Sequence, residues 1–288
     1  AGLALMIGGA VIDVIAQAGA LQLPFVGVLT PWQQTFVLVG APGLLIAALF
    51  LIVREPPRQG LVKSGVQAGV LKYMWSRKST FYVLIMAFSI FGMAGISYLA
   101  WAPAVLIRQH GMTPSEVGFA YGAVLLAAAT PGVLVGGWTT DWFAARGRTD
   151  APVRVAIIAL VASIPFAIAM PLMPTQGLAI AALAGFSFFA GMMNSLPATC
   201  LQAVAPNQLR AQVTAIYFLI GNLVSLGLGP TVVAAISDNF LGGDDSIGHA
   251  LSIVSGVAII IASYLLTRAL TPFRASVEEA REWQDVAR

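Results

Sequence analysis

Residues 153–200 read VRVAIIALVASIPFAIAMPLMPTQGLAIAALAGFSFFAGMMNSLPATC, and their only charged side chain is Arg154 at the leading edge. About 20 apolar residues in a helix cross the ~30 Å hydrocarbon core of a bilayer, so 153–173 and 177–200 are each long enough to span it. Only Pro174–Gln176 separate the two, which makes them an antiparallel helical hairpin. Backbone groups in lipid must find partners within their own segment, and the ten-residue alternation of a membrane barrel is not visible, so the segments are helices.

The pattern extends outward in both directions. Apolar segments at 1–23, 33–53, 79–107 and 115–139 precede the hairpin, and 211–236 and 247–270 follow it, eight segments in all. The chain of 288 residues is 58% hydrophobic and 9% charged, with a mean hydropathy of +0.86. A soluble domain carries about 25% charged residues, and so few charges cannot cover a soluble surface. The expected fold class is all-α, a polytopic transmembrane helical protein. The net charge of +3 does not point to nucleic acid, because basic loops on one membrane face produce the same balance. Cys200 is the single cysteine, so an intrachain disulfide is impossible. Ala1 opens directly into an apolar stretch without a charged leader, which reads as a truncated start rather than a signal peptide.

Charge fixes the expected orientation. If connections alternate sides, one side receives 54–78, 140–152 with Arg154, 201–210 and the tail from Arg268. Those stretches hold six, three, one and four basic residues, fourteen of the fifteen, and only Arg108 falls on the other side. The basic side is therefore expected to be cytoplasmic, in a bacterial inner (plasma) membrane. The connection 54–78 opens with Arg54-Glu55-Pro56-Pro57-Arg58, whose prolines end the preceding helix. Within it, residues 70–77 suit either a short helix lying on the membrane face or a plain basic linker. The tail 271–288, with Glu278, Glu279, Arg281 and Glu282, reads as a solvated cytoplasmic helix or a frayed end.

At the basic end of the fourth segment stands Gly136-Gly137-Trp138-Thr139-Thr140-Asp141-Trp142-Phe143-Ala144-Ala145-Arg146-Gly147-Arg148. This stretch resembles the loop signature of the major facilitator superfamily, a Gly, three residues, Asp, then a basic Gly-Arg cluster. Trp142 stands where that pattern has Arg, and the basic cluster is displaced to Arg146 and Arg148. Arg54-Glu55-Pro56-Pro57-Arg58, Pro31-Trp32-Gln33-Gln34-Thr35-Phe36, the run from Gln202 to Arg210 and Gly227-Leu228-Gly229-Pro230 resemble the Spinster-like transporters of that superfamily. The resemblance implies eight segments of a twelve-helix fold, covering helices five to twelve. Residues 1–53 would be the last two helices of a truncated N-terminal bundle, 54–78 the cytoplasmic central loop, 79–270 the C-terminal six-helix bundle, and 271–288 the cytoplasmic tail. In the signature loop Gly137, Asp141, Arg146 and Arg148 would form a gate, with glycine permitting close helix approach and the charges making and breaking contacts between bundles.

Ionisable groups at membrane depth are functional candidates. Asp13 lies midway along the first segment, and Gln17, one turn on, shares its face. Tyr98 and Trp101 either line a substrate path or belong to an interfacial aromatic belt. Ser187 and Asn194 share a face of the sixth segment, and Tyr217 lies on the seventh with Asn222 nearby; such residues line a cavity or serve helix packing. Gly132-x-x-x-Gly136 reads as a packing device. The carboxylates of 238–245 lack the spacing of a calcium loop. No Gly-Lys-Thr phosphate loop, Ser-His-Asp set or metal-ligand cluster stands in the sequence, so neither metal nor cofactor is expected, and no enzyme activity.

The function expected is secondary active transport by alternating access. The resemblance implies a lysolipid or sphingoid-type amphiphile as cargo, with a small organic anion as the other candidate. A proton-coupled symporter of organic acids or sugars is the alternative, and a receptor or structural protein the alternative of a different class. The implied partners are the bilayer, a small-molecule or lipid substrate, and protons or another coupling ion.

Overall fold

The computed structural model describes residues 11, 15, 21–23, 27–52, 69–242 and 246–286. Most of the first expected segment, including Asp13 and Gln17, lies outside these residues, as does most of the central loop. The segment's last residues are extended rather than helical. Strand β1 (Leu21–Leu23) pairs antiparallel with β2 (Gly27–Leu29), Leu21 opposite Leu29.

Everything else of length is helix. α1 (Pro31–Phe50) starts where its sequence directs, with Pro31 at the first position and the Gln33 side-chain oxygen accepting from the Thr30 N–H at 2.8 Å. The stretch left open as helix or linker is helical, α2 (Val70–Ser76). α3 (Lys78–His110) follows and stops at Gly111, whose φ of +66° lets its N–H and that of Met112 turn back to the carbonyls of Ile107 and Leu106.

Two spans are less regular than expected. The fourth is α4 (Pro114–Val124) and α5 (Thr130–Ala145), joined by a π-turn over Leu125–Ala129. Thr130 donates its N–H to Leu125, five residues back, just before Pro131, which has no N–H to give. The hairpin forms as read, with α6 (Ala151–Ala169) closed by a 3₁₀ turn and α7 (Gln176–Met192) capped by Thr175. α7 then breaks over residues 193–195 and resumes as α8 (Leu196–Ala203), with Pro197 in its first turn.

α9 (Arg210–Phe240) and α10 (Ile247–Val286) complete the chain. Seven helices among the described residues are long and apolar enough to cross a membrane. α3 is the pivot of the bundle, packing along both α9 and α10; α10 packs on α6, α6 on α7, and α7 on α5. The α5–α7 crossing is sealed by glycine. A methyl group at Gly132 would overlap the Phe188 carbonyl, and one at Gly191 the Ala129 carbonyl, so the two backbones are in contact there.

The tail departs from the solvated helix expected of it. α10 runs through Pro272, and Phe273 and Val277 are buried against the bundle. The Thr80 hydroxyl of α3 donates to the Pro272 carbonyl at 3.1 Å and lies 2.8 Å from Ser276. A proline inside a helix frees the carbonyl one turn back, at residue 268; Thr80 bonds the carbonyl of Pro272 itself and ties α3 to α10 beside that position.

Candidate functional site

A cavity of about 360 Å³ opens between α3, the α7–α8 break and α9. It brings together three of the residues singled out in the sequence, Asn194, Tyr217 and Asn222. Asn194 sits in the break itself, where its N–H bonds to the Gly191 carbonyl at 3.0 Å and its side chain is exposed. Asn222 is exposed on α9, and the Tyr217 ring meets Phe88 edge to face at 6.4 Å. Among the described residues no charged side chain lines this cavity.

Small residues hold the wall between α3 and α9. The Ser225 hydroxyl donates to the Ser89 carbonyl at 3.1 Å, and a methyl group at Gly229 would stand 2.8 Å from the Met93 carbonyl. The Ser89 hydroxyl is buried without a hydrogen-bond partner. Pro197 has no N–H, so the hydrogen-bonded ladder is interrupted beside the Asn194 side chain. The cavity therefore offers two amides, a phenol and aromatic faces in an apolar frame, a set able to hold an uncharged polar group with an apolar body.

The other pathway candidates lie elsewhere. Tyr98 is fully buried, stacked on Phe186 at 4.1 Å, and its hydroxyl donates to the Ala167 carbonyl. Trp101 donates its indole N–H to the Pro230 carbonyl at 3.0 Å, tying α3 to α9. Ser187 is buried in α7 outside the cavity lining. Tyr98 and Trp101 hold helices together in this structure.

At the basic end the signature loop borders a second crevice of about 420 Å³, which Asp141 and Arg148 line with Thr140, Thr149, Thr199 and Val277. Gly136 approaches α7, its place for a methyl being 2.7 Å from the Met192 carbonyl, while Gly137 faces open space. The Arg146 guanidinium lies 3.4 Å above the Trp142 ring and donates to the Trp142 carbonyl at 3.2 Å. The Trp that replaces the family's Arg thus carries a guanidinium on its face.

The ion cluster at this end is only half visible in the sequence. Asp150 caps the approach to α6 and is almost fully buried, with Arg154 Nε at 2.9 Å and Arg274 Nε at 2.7 Å from its Oδ2. Burial pushes the Asp150 carboxyl up, but the two guanidinium hydrogen bonds outweigh it and hold the group below its ordinary value. A second pair joins Arg77, at the head of α3, to Glu279 of α10, with Nε to Oε2 at 3.1 Å. Asp150 and Arg154 stand at helical i, i+4 spacing, a signal visible in the sequence; Arg274 is over a hundred residues away and was not.

The sequence profile of the Major Facilitator Superfamily matches residues 1–230. The chain belongs to this superfamily. It is 28% identical over 260 residues to an MFS-type efflux pump of Mycolicibacterium smegmatis, covering 87% of this chain and 59% of the pump. It is 23% identical over 265 residues to a D-galactonate transporter of Escherichia coli O6:H1, covering 82% of this chain and 59% of that protein. The chain thus spans about three-fifths of the length of these curated relatives. Among solved structures, a bacterial homolog to the human lysosomal transporter Spinster matches in its inward-facing, unoccupied conformation. That match has a TM-score of 0.62 and 23% identity, over 98% of this chain and 68% of the other. The inward-facing, occupied conformation matches with a TM-score of 0.61 and 23% identity, over 96% and 66%. The superfamily and the all-helical membrane fold read from the sequence are both borne out, and the Spinster-like resemblance has its counterpart in the fold.

Proposed function

We propose that the protein carrying this chain is a secondary active transporter working by alternating access, and that the cavity between α3, the α7–α8 break and α9 is part of its substrate path. The cavity carries the proposal: polar side chains at Asn194 and Asn222 stand exposed in an otherwise apolar bundle, beside a broken helix. Exposed amides at membrane depth are expensive unless they meet water or a ligand, and discontinuous helices in transporters are found where substrates bind. The basic side is taken as cytoplasmic, following the charge count.

The cargo proposed is a lysolipid or sphingoid-type amphiphile, or a small organic anion. The apolar frame of the lining favours the amphiphile, whose hydrocarbon chain it would cover. The D-galactonate transporter among the relatives favours the alternative, a proton-coupled symporter of organic acids or sugars. Asp13, outside the described residues, is proposed as the ion-coupling group.

The test is uptake into liposomes reconstituted with the protein, comparing labelled lysolipid with labelled galactonate, with and without a pH gradient. Wild type is expected to move the lysolipid, and Asp13→Asn to lose the response to the gradient. Uptake of galactonate alone would replace the amphiphile reading with the symporter one. Absence of any uptake from folded protein would remove the transport proposal.

A further inference from the structure

A larger groove, about 850 Å³, lies on a different face of α3 from the cavity and shares no lining residue with it. Its walls are Leu71 and Trp75 of α2, Tyr82 and Met86 of α3, and Ile216 and Ile220 of α9. Leu71, Trp75 and Tyr82 are each about two-thirds or more exposed, so the groove opens outward. At its basic end stands Lys78, whose ammonium lies 5.7 Å from the Trp75 ring centroid. Lys72 adds a second exposed cation on α2, and neither lysine is in an ion pair among the described residues.

The wall that α2 provides is fixed. Tyr73 is buried and its hydroxyl donates to the Val204 carbonyl at 2.7 Å, tying α2 to the end of α8. Arg77, just after α2, is paired with Glu279 of α10, which ties the end of α2 to α10. The result is a rigid apolar trough with free positive charge at one end only. An anionic phospholipid has the complementary form, an apolar chain with its negative charge at one end. Trp and Lys side by side at a helix end are also the usual anchors at a membrane interface.

We infer that this groove seats an acyl chain of an anionic phospholipid, with the headgroup phosphate held by Lys78 and Lys72. The lipid fills the cleft between α2, α3 and α9 and is a resident of the bundle, distinct from the cargo of the cavity. The inference stands whether or not the cavity carries substrate.

The experiment is native mass spectrometry of the purified, delipidated protein titrated with phosphatidylglycerol or phosphatidylcholine of matched chains. Wild type is expected to retain phosphatidylglycerol preferentially. Lys78→Gln should lower that retention about fivefold, the effect of one basic side chain at a charged headgroup. Ile220→Trp, which fills the trough, should abolish it, while Leu134→Trp, exposed on α5 and away from the groove lining, should leave it intact. Thermal unfolding of each variant, run alongside, separates loss of the lipid from loss of the fold. Equal retention of the two lipids by wild type would overturn the inference. So would undiminished phosphatidylglycerol binding by folded Ile220→Trp, which would leave the groove to be covered by protein.

Discussion

The α5–α7 crossing and the α3–α9 seam are built from the same kinds of residue, yet one is closed and the other opens into a cavity. At the first, Gly132 and Gly191 bring carbonyl oxygens of one helix against the backbone of the other, leaving no space for a side chain. At the second, Ser225, Ser89 and Gly229 draw the helices together along one edge, while Tyr217 and Asn222 stand off along the other. What separates them is the fate of the helix facing each. α7 is intact where it meets Gly132 but breaks at residues 193–195, just where it borders the cavity. Small residues draw the helices together at both places, and the cavity opens where the facing helix stops.

The sharpest way to break this comparison is to put a side chain into the closed crossing. Gly132→Leu should destabilise the bundle by about 3 kcal/mol or more, since the backbones cannot both hold their places. Gly137→Ala, one turn along on an open face, should stay within about 0.5 kcal/mol of wild type. Thermal unfolding in detergent compares the two, and equal losses would remove the distinction between the glycines.

Next in size are the two ends of the molecule. Asp150→Asn removes the charge that both Arg154 and Arg274 bond, and should cost about 2 kcal/mol. Because the Asp150 carboxyl is held below its ordinary value, its stabilisation is fully present above the unfolded carboxylate pKa of about 4. It is lost as pH falls further, through the folded value. The unfolding temperatures of wild type and variant should therefore differ by a constant amount from pH 7 to 5 and converge below about pH 4. A gap that persists in acid would mean that charge is not the source of the effect.

At the cavity the opposite balance is expected. Asn194→Leu and Asn222→Leu should leave unfolding unchanged within about 0.5 kcal/mol, because both side chains are exposed. Each should lower substrate uptake about tenfold, the worth of one hydrogen bond to cargo. The smallest effect belongs to the signature loop. Trp142→Ala frees Arg146 from its aromatic face and should cost about 0.5–1 kcal/mol in thermal unfolding.

Much of this architecture was legible because membrane spans are written in length and hydropathy. The hairpin at 153–200 and the glycine pair at Gly132 and Gly136 follow from local pattern, while the helix read at 33–53 starts two residues earlier, at Pro31. Three of the pathway candidates, Asn194, Tyr217 and Asn222, also meet in one cavity. Tyr98 and Trp101 could not be placed in advance, since an aromatic at a helix face gives no hint of which neighbour it meets; both bond backbone carbonyls of adjacent helices. The docked tail was hidden for a similar reason. Its acidic and basic residues look solvated until Arg274 and Glu279 are seen beside Asp150 and Arg77, partners more than a hundred positions away. The break at residues 193–195 is invisible to hydropathy, which does not register a missing hydrogen bond; its signal in the sequence is Pro197, one of several prolines able to kink a helix.

The most direct test of the central claim is the reactivity of cysteines placed on α9 and in the break, in protein reconstituted into liposomes. The native Cys200 is buried and serves as a silent background. If the cavity is part of an aqueous substrate path, Asn222→Cys and Asn194→Cys should react readily with a water-soluble, membrane-impermeant maleimide. Leu223→Cys, adjacent in sequence but on the outward apolar face, should react far more slowly. Equal protection of all three positions would contradict the account, leaving Asn194 and Asn222 as buried packing residues in a sealed bundle.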